Sequence, residues 1–291
     1  MRIRQEFLST FDKQRSLIVG EVSMRRCFAV AVLSLLSMLP ASLLAQHGTQ
    51  APATPPRDQQ GVSILAQTLI ASGGLPAIAA VLDFKATGNV TYYWAGEEVT
   101  GTTTVTGRGT DQFRIDSAIS SGTYTLLVNK GSGELKDIRG RTIPIAFQNA
   151  VNKGNLIFPL AEITARFQDT TVGITYVGLT TIDGHQLHQI RTRRILTSDT
   201  GHGQLINKLT TRDFFIDPQT FQVVATLDMG HPDDIAQVDF PHQMLFTDYR
   251  TINGILVPFS ITERVAGQTT WTIQLSQITF NNGLGDTDFQ P

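Results

Sequence analysis

Apolar residues change their spacing several times along this chain, and each change predicts a different element. Val62, Leu65, Ala66 and Leu69 recur at helical spacing, and Gly73-Gly74 stops the pattern. Residues 75–82 form a second short apolar piece, with Pro76 near its start, where proline is tolerated. From Asp83 the period becomes two. Strands are predicted over 85–94, 99–106, 112–116 and 124–128, mostly separated by Gly-containing turns. Thr100, Thr102, Thr104 and Thr106 make one polar, β-favouring face.

The middle of the chain reads differently. Residues 144–153 carry Ile145, Ala146, Ala150 and Val151 and suit a helix ended by Gly154; residues 159–167 carry Leu160, Ile163, Ala165 and Phe167 and suit another. This predicts a helical insertion lying across the sheet. Strands are then predicted over 173–179, 186–195, 204–216, 221–229, 236–240, 243–249, 254–264 and 269–280. About ten strands, with helices only at the front and in the middle, give no strand–helix–strand alternation. The predicted class is mainly β with added helices (α+β), as one long antiparallel sheet curled around the helical pieces.

Three strands have a clear apolar face. Phe221, Val223, Ala225 and Leu227 share one, as do Ile255, Val257, Phe259 and Ile261, and as do Trp271, Ile273 and Leu275. Ile278 and Phe280 fall in the opposite parity. A one-residue slip of this kind predicts a bulge near Ser276-Gln277, which would bend the strand.

The N-terminus predicts export. Arg25 and Arg26 precede an apolar run over 28–45, with a cleavage site expected near Ala45/Gln46 and Met24 as a possible start. Cys27, the single cysteine, sits at the front of that run, not at its end, so it is not a lipidation site; the mature chain has no disulfide and no thiolate metal site. Residues 46–60, rich in Pro and Gln, read as a flexible linker before a single domain over 61–291. The net charge is −2 with no basic block, which argues against nucleic-acid binding.

Candidate chemistry is sparse. His185 and His188, three apart in a strand, point to opposite faces and cannot share a metal. His202 lies in a Gly-His-Gly stretch, and His231 with Asp233 and Asp234 reads as a solvated loop, not a converging ligand set. There is no Gly-x-Ser-x-Gly elbow. Glu97-Glu98 and Gly131-Ser132-Gly133 read as turns, and Arg191, Arg193 and Arg194 as a basic sheet face. No catalytic residue, metal or cofactor is expected.

The run Phe215 to Phe221 (a strand, Asp217-Pro218-Gln219-Thr220, a strand), then Tyr249-Arg250, Gly254-Ile255 and Pro258, then a long strand and Asn281, Asp286, Phe289 and Pro291, resembles the LolA/LolB/RseB-like superfamily of periplasmic lipoprotein carriers and lipid-sensing relatives. The element order is similar over most of 62–291, and the motifs lie within about 205–291. The resemblance implies an unclosed half-barrel with a helical lid over an apolar concave face that takes acyl chains. It makes Phe221, Val223, Leu227, Ile255, Val257, Phe259, Trp271, Ile273 and Leu275 the candidate ligand face, and Ile145, Phe147, Val151, Leu160 and Ile163 the candidate lid. The implied protein is a periplasmic monomer that binds lipid or acylated protein. The alternative is an envelope sensor or interaction module of the same fold, with a filled core and a protein partner. Burying a methylene gains about 0.8 kcal/mol, so an acyl chain gains on the order of 10 kcal/mol without any catalytic group.

Overall fold

The structure is a computed structural model, and it describes residues 55–94, 96–151, 153, 156–195, 201–233, 235 and 237–291. The expected export signal, linker residues 46–54 and Asp234 lie outside the described residues.

Among the described residues, thirteen strands form one antiparallel sheet. From its middle, β1 (Asp83–Trp94), β2 (Glu97–Arg108), β3 (Gln112–Ile119), β4 (Gly122–Asn129), β5 (Ser132–Lys136) and β6 (Thr142–Ile145) lead outward to one edge. The chain then resumes at the opposite edge. It returns through β7 (Val172–Ile182), β8 (His185–Arg194), β9 (Arg212–Ile216), β10 (Val223–Gly230), β11 (Phe240–Ile252), β12 (Ile255–Val265) and β13 (Gln268–Phe280), and β13 pairs with β1. The two edge strands are therefore consecutive in sequence. The link between β6 and β7 must cross from edge to edge, and it carries α3 (Phe147–Ala150) and α4 (Pro159–Gln168). Among the described residues, two further helices, α1 (Gln59–Ala71) and α2 (Leu75–Ala79), precede β1, and α5 (Gly201–Leu209) lies between β8 and β9.

Local chemistry sets the hairpins. Lys130-Gly131, Asp183-Gly184, Asn253-Gly254 and Ala266-Gly267 each place two successive residues at positive φ, the requirement of the tight turn whose twist matches paired strands. At the front, the Asp58 carboxylate accepts from the Gly61 N–H at 2.9 Å and caps α1. Folded structure begins before the expected boundary at 61. Arg57 bridges Ile174 on the free edge of β7, and Gln59 and Gln60 start α1.

Bulges redirect the strands. Thr87 pairs with Gln277 and Gly88 with Leu275, so Ser276 is the extra residue, where the parity slip predicted one. Only glycine fits opposite it, because a Cβ on Gly88 would lie 2.8 Å from the Leu275 Cα. Three further bulges were not foreseen. Val177 is extra between β7 and β8, Val224 between β9 and β10, and Thr270 between β12 and β13.

The predicted class, one large antiparallel sheet with few helices, is the observed one. Several elements differ. The strand expected over 204–216 is the helix α5 followed by the short β9; of the strand expected over 236–240, Ala236 lies outside the described residues, 237–239 are not strand, and β11 starts at Phe240. The helix expected over 144–153 shrinks to Phe147–Ala150, because residues 142–145 pair with β5. Both β5 and β6 escaped detection because each is only four or five residues long.

One continuous core joins α1, α2 and α4 to one face of the sheet. Leu65 and Leu69 of α1, Ile78 of α2 and Leu160 and Ile163 of α4 pack there with Phe84, Phe113, Phe214, Val257 and Ile273.

Candidate functional site

The candidate ligand face is mostly where strand parity put it. Ile255, Val257 and Phe259 on β12 and Trp271, Ile273 and Leu275 on β13 are buried in the core under the helices, and so is Val223 on β10. The fourth strand face is corrected by a bulge. With Val224 extra, Val223 pairs with Ile216 and Ala225 with Phe215. Ala225 and Leu227 therefore turn to the other side of the sheet, into a small separate cluster with Leu187 and Phe215. Phe221, at φ 55, belongs to the turn before β10 and lines an open groove of about 600 Å³ with Asp58, Gln59, Ser63, Gln67 and His188.

The lid candidates separate into two groups. Leu160 and Ile163 on α4 are fully buried in the core beside Phe158. Ile145 packs on the core from β6, Val151 lines a cleft of about 180 Å³ with Glu162 and Arg166, and Phe147 is 59% exposed. The link is held by polar contacts at both ends. Asn149 exchanges two hydrogen bonds with the His231 backbone, 2.7 and 2.9 Å. Arg57 donates to the carbonyls of Phe167 and Asp169 at 2.6 and 3.0 Å, capping the end of α4.

Between these ends lies a row of buried charges. β9, β10, β11 and β12 each turn one ionisable side chain to the inner face: Arg212, Asp228, His242 and Glu263. Asp228 and His242 are directly opposite in the ladder. The Val224 bulge is what turns Asp228 inward, and the Thr270 bulge places a hydroxyl against the Glu263 carboxylate. From α4, Glu162 meets Arg212, and Arg212 also meets Asp228. Arg166 donates to Glu162 and to the Thr210 carbonyl, both at 2.8 Å. His242 stands between two carboxylates, with Nδ1 2.7 Å from Asp228 and Nε2 3.0 Å from Glu263. Lys153, from the link itself, approaches Glu263 at 3.9 Å.

The electrostatics follow from this order of charges. Burial opposes the Arg212 charge, but Glu162 and Asp228 outweigh it and push its pKa up. Burial opposes ionisation of Asp228, yet Arg212 and His242 hold it well below the usual carboxylate range. Burial likewise opposes ionisation of Glu263, but the His242 hydrogen bond and Lys153 bring it down to about 2. Burial lowers the His242 pKa and Asp228 raises it, with a net upward shift. Geometry agrees, because two ring nitrogens facing two carboxylate oxygens both need protons, which makes the ring an imidazolium.

The sequence held a signal for three of these residues. Arg212 shares parity with Phe214 and Ile216, His242 with Met244 and Phe246, and Glu263 with Phe259 and Ile261. A charge at an inward position is the informative one. Asp228 carried no such signal, since the unseen bulge reverses its parity. The other histidines stand apart. His231 is buried in a loop with Nδ1 3.0 Å from the Val238 carbonyl, and His188 meets the Tyr176 hydroxyl at 3.2 Å. Arg191 pairs with Asp213 and Arg194 with Asp169.

No family model matches the chain, and no curated protein matches it. Solved structures are similar to it in fold. A LolA superfamily protein from Nitrosomonas europaea is 11% identical, with 79% of this chain and 97% of that chain covered and a TM-score of 0.47. A DUF1329 family protein from Desulfovibrio piger is 11% identical, with 81% and 98% covered and the same score. The lipoprotein LppX of Mycobacterium tuberculosis is 11% identical, with 78% and 98% covered and a TM-score of 0.25.

Proposed function

We propose that this chain is an exported periplasmic binding protein that takes a lipid, or the acyl chain of an acylated protein, on the inner face of its half-barrel. The observation that carries this reading is the link between β6 and β7. It fills the inner face with Leu160 and Ile163, yet its helix α4 lies outside the sheet ladder and is held to it by side chains. An element fastened this way can leave without unzipping a strand. Its departure would open the core that holds Val223, Ile255, Val257, Phe259, Trp271, Ile273 and Leu275 together with Leu160 and Ile163. An acyl chain replaces the apolar contacts that Leu160 and Ile163 give up. The protein works as a monomer by binding alone, with no cofactor and no catalytic group.

Native mass spectrometry of protein purified from the periplasm tests this. Co-purifying lipid, and saturable uptake of a fluorescent fatty acid, are expected. Repeated absence of both would end the proposal.

A second reading is favoured by the completeness of the core, in which Phe158 and Ile163 have no exposed surface. In that reading the chain is an envelope interaction module with a permanently filled interior. It predicts a protein crosslinked in the envelope and no lipid uptake.

A further inference from the structure

We propose that Glu162 occupies the place of a ligand's anionic headgroup, and that Arg212 receives a carboxylate or phosphate when α4 withdraws. This rests on the binding reading above and names the class of ligand: an acyl chain carrying one anionic head.

The argument starts from what α4 presents to the sheet. Its buried face consists chiefly of Leu160 and Ile163, with the Glu162 carboxylate beside them. An apolar body with one attached carboxylate is the chemistry of an anionic amphiphile. What fits under the strands in the closed state is therefore what must fit in the open one.

The receiving side has the matching chemistry. Arg212 is 4% exposed and lies on β9, in the sheet that stays. One guanidinium nitrogen, Nη1, donates to Glu162, and the other, Nη2, donates to Asp228. Asp228 belongs to β10 and remains when the helix leaves, as do His242 and Glu263. Glu162 leaves with α4, and Arg166 leaves with it. Withdrawal thus takes the Glu162 carboxylate away from a buried guanidinium that stays in the sheet. A carboxylate or phosphate is the acceptor a guanidinium fork holds best. The remaining sheet charges balance, since Arg212 and protonated His242 face Asp228 and Glu263.

The alternative is that Glu162 simply fastens α4 and that the ligand is recognised by its chain alone. Calorimetric titration of the full mature chain separates the two, using laurate, lauroyl lysophosphatidate and the uncharged monolaurin, each below its micelle-forming concentration. The anionic ligands are expected to bind at least about tenfold tighter than monolaurin. Glu162→Gln keeps the shape and removes the competing charge. It is expected to tighten binding of the anionic ligands by more than that of monolaurin. A preference for laurate over lysophosphatidate, or the reverse, identifies the head as carboxylate or phosphate. Equal affinity for all three ligands in the natural chain overturns the headgroup assignment while leaving acyl binding intact, and so does an equal gain for all three in Glu162→Gln. Failure of all three to bind overturns the binding reading, and this assignment with it.

Discussion

Replacing His242 by Gln removes the positive charge that separates two buried carboxylates. Asp228 would keep Arg212, and Glu263 would keep Thr270 and the more distant Lys153. Each loses a charged donor at 2.7 or 3.0 Å and stays buried. Breaking a buried ionic pair by removing one partner costs about 3–5 kcal/mol. For a unit the size of Pro52–Pro291, each kcal/mol is worth about 2–4 °C in melting temperature, so the variant should melt roughly 6–20 °C lower. The loss depends on pH with a definite sign. The folded-state pKa of His242 lies above its ordinary 6.5, so its contribution is complete below that value and fades as pH rises through the raised one. Asp228 and Glu263 are depressed, so their contributions are complete above their ordinary values and fade as pH falls, for Glu263 toward about 2. The groups facing this centre are Asp228 on β10, Glu263 on β12 and Lys153 from the link, with Arg212 and Glu162 one step further along the row. Thermal melts of both proteins over a pH series rising from about 6 measure the effect. The gap between them should be widest at about pH 6 and should narrow as the pH passes the raised value, where the natural chain also surrenders its proton. A variant as stable as the natural chain at about pH 6, or a gap that widens as the pH rises, would refute the imidazolium bridge.

Val223→Asn should destabilise by about 2–4 kcal/mol in chemical denaturation, because it puts an amide into the main core, whereas Leu227→Asn should cost about 1 kcal/mol or less; equal effects would contradict the Val224 bulge. Ile163→Ala should cost about 2–5 kcal/mol and, by loosening α4, should speed amide exchange in the helix ahead of the sheet. Deleting Ser276 would turn either Ile278 or Leu275 out of the core and should prevent cooperative unfolding from being observed, while Ser276→Ala should change stability by less than about 0.5 kcal/mol.

Period and parity carried much of the fold. The two-residue period marked most of the strands and the inward sides of β12 and β13. The break in parity between Leu275 and Ile278 was enough to place a bulge. Short edge strands were not legible, since a four-residue segment such as Thr142–Ile145 has too little pattern to stand out from a helix start. The strand expected over 204–216 failed for a related reason. Leu205 and Leu209 have helical spacing, and only Arg212–Ile216 finds a partner strand on each side.

By itself the sequence determined the antiparallel class and the inward apolar stripes of β12 and β13, because each depends only on residue type and local spacing. The tertiary structure alone decided which charges meet. Glu162 and Arg212 are fifty residues apart, and Arg212 and Glu263 lie on strands that come together only through the order of the sheet. The bulge at Val224 then settles which side of β10 Asp228 occupies. Local pattern cannot foresee it, because pairing with β9 is what leaves that residue over.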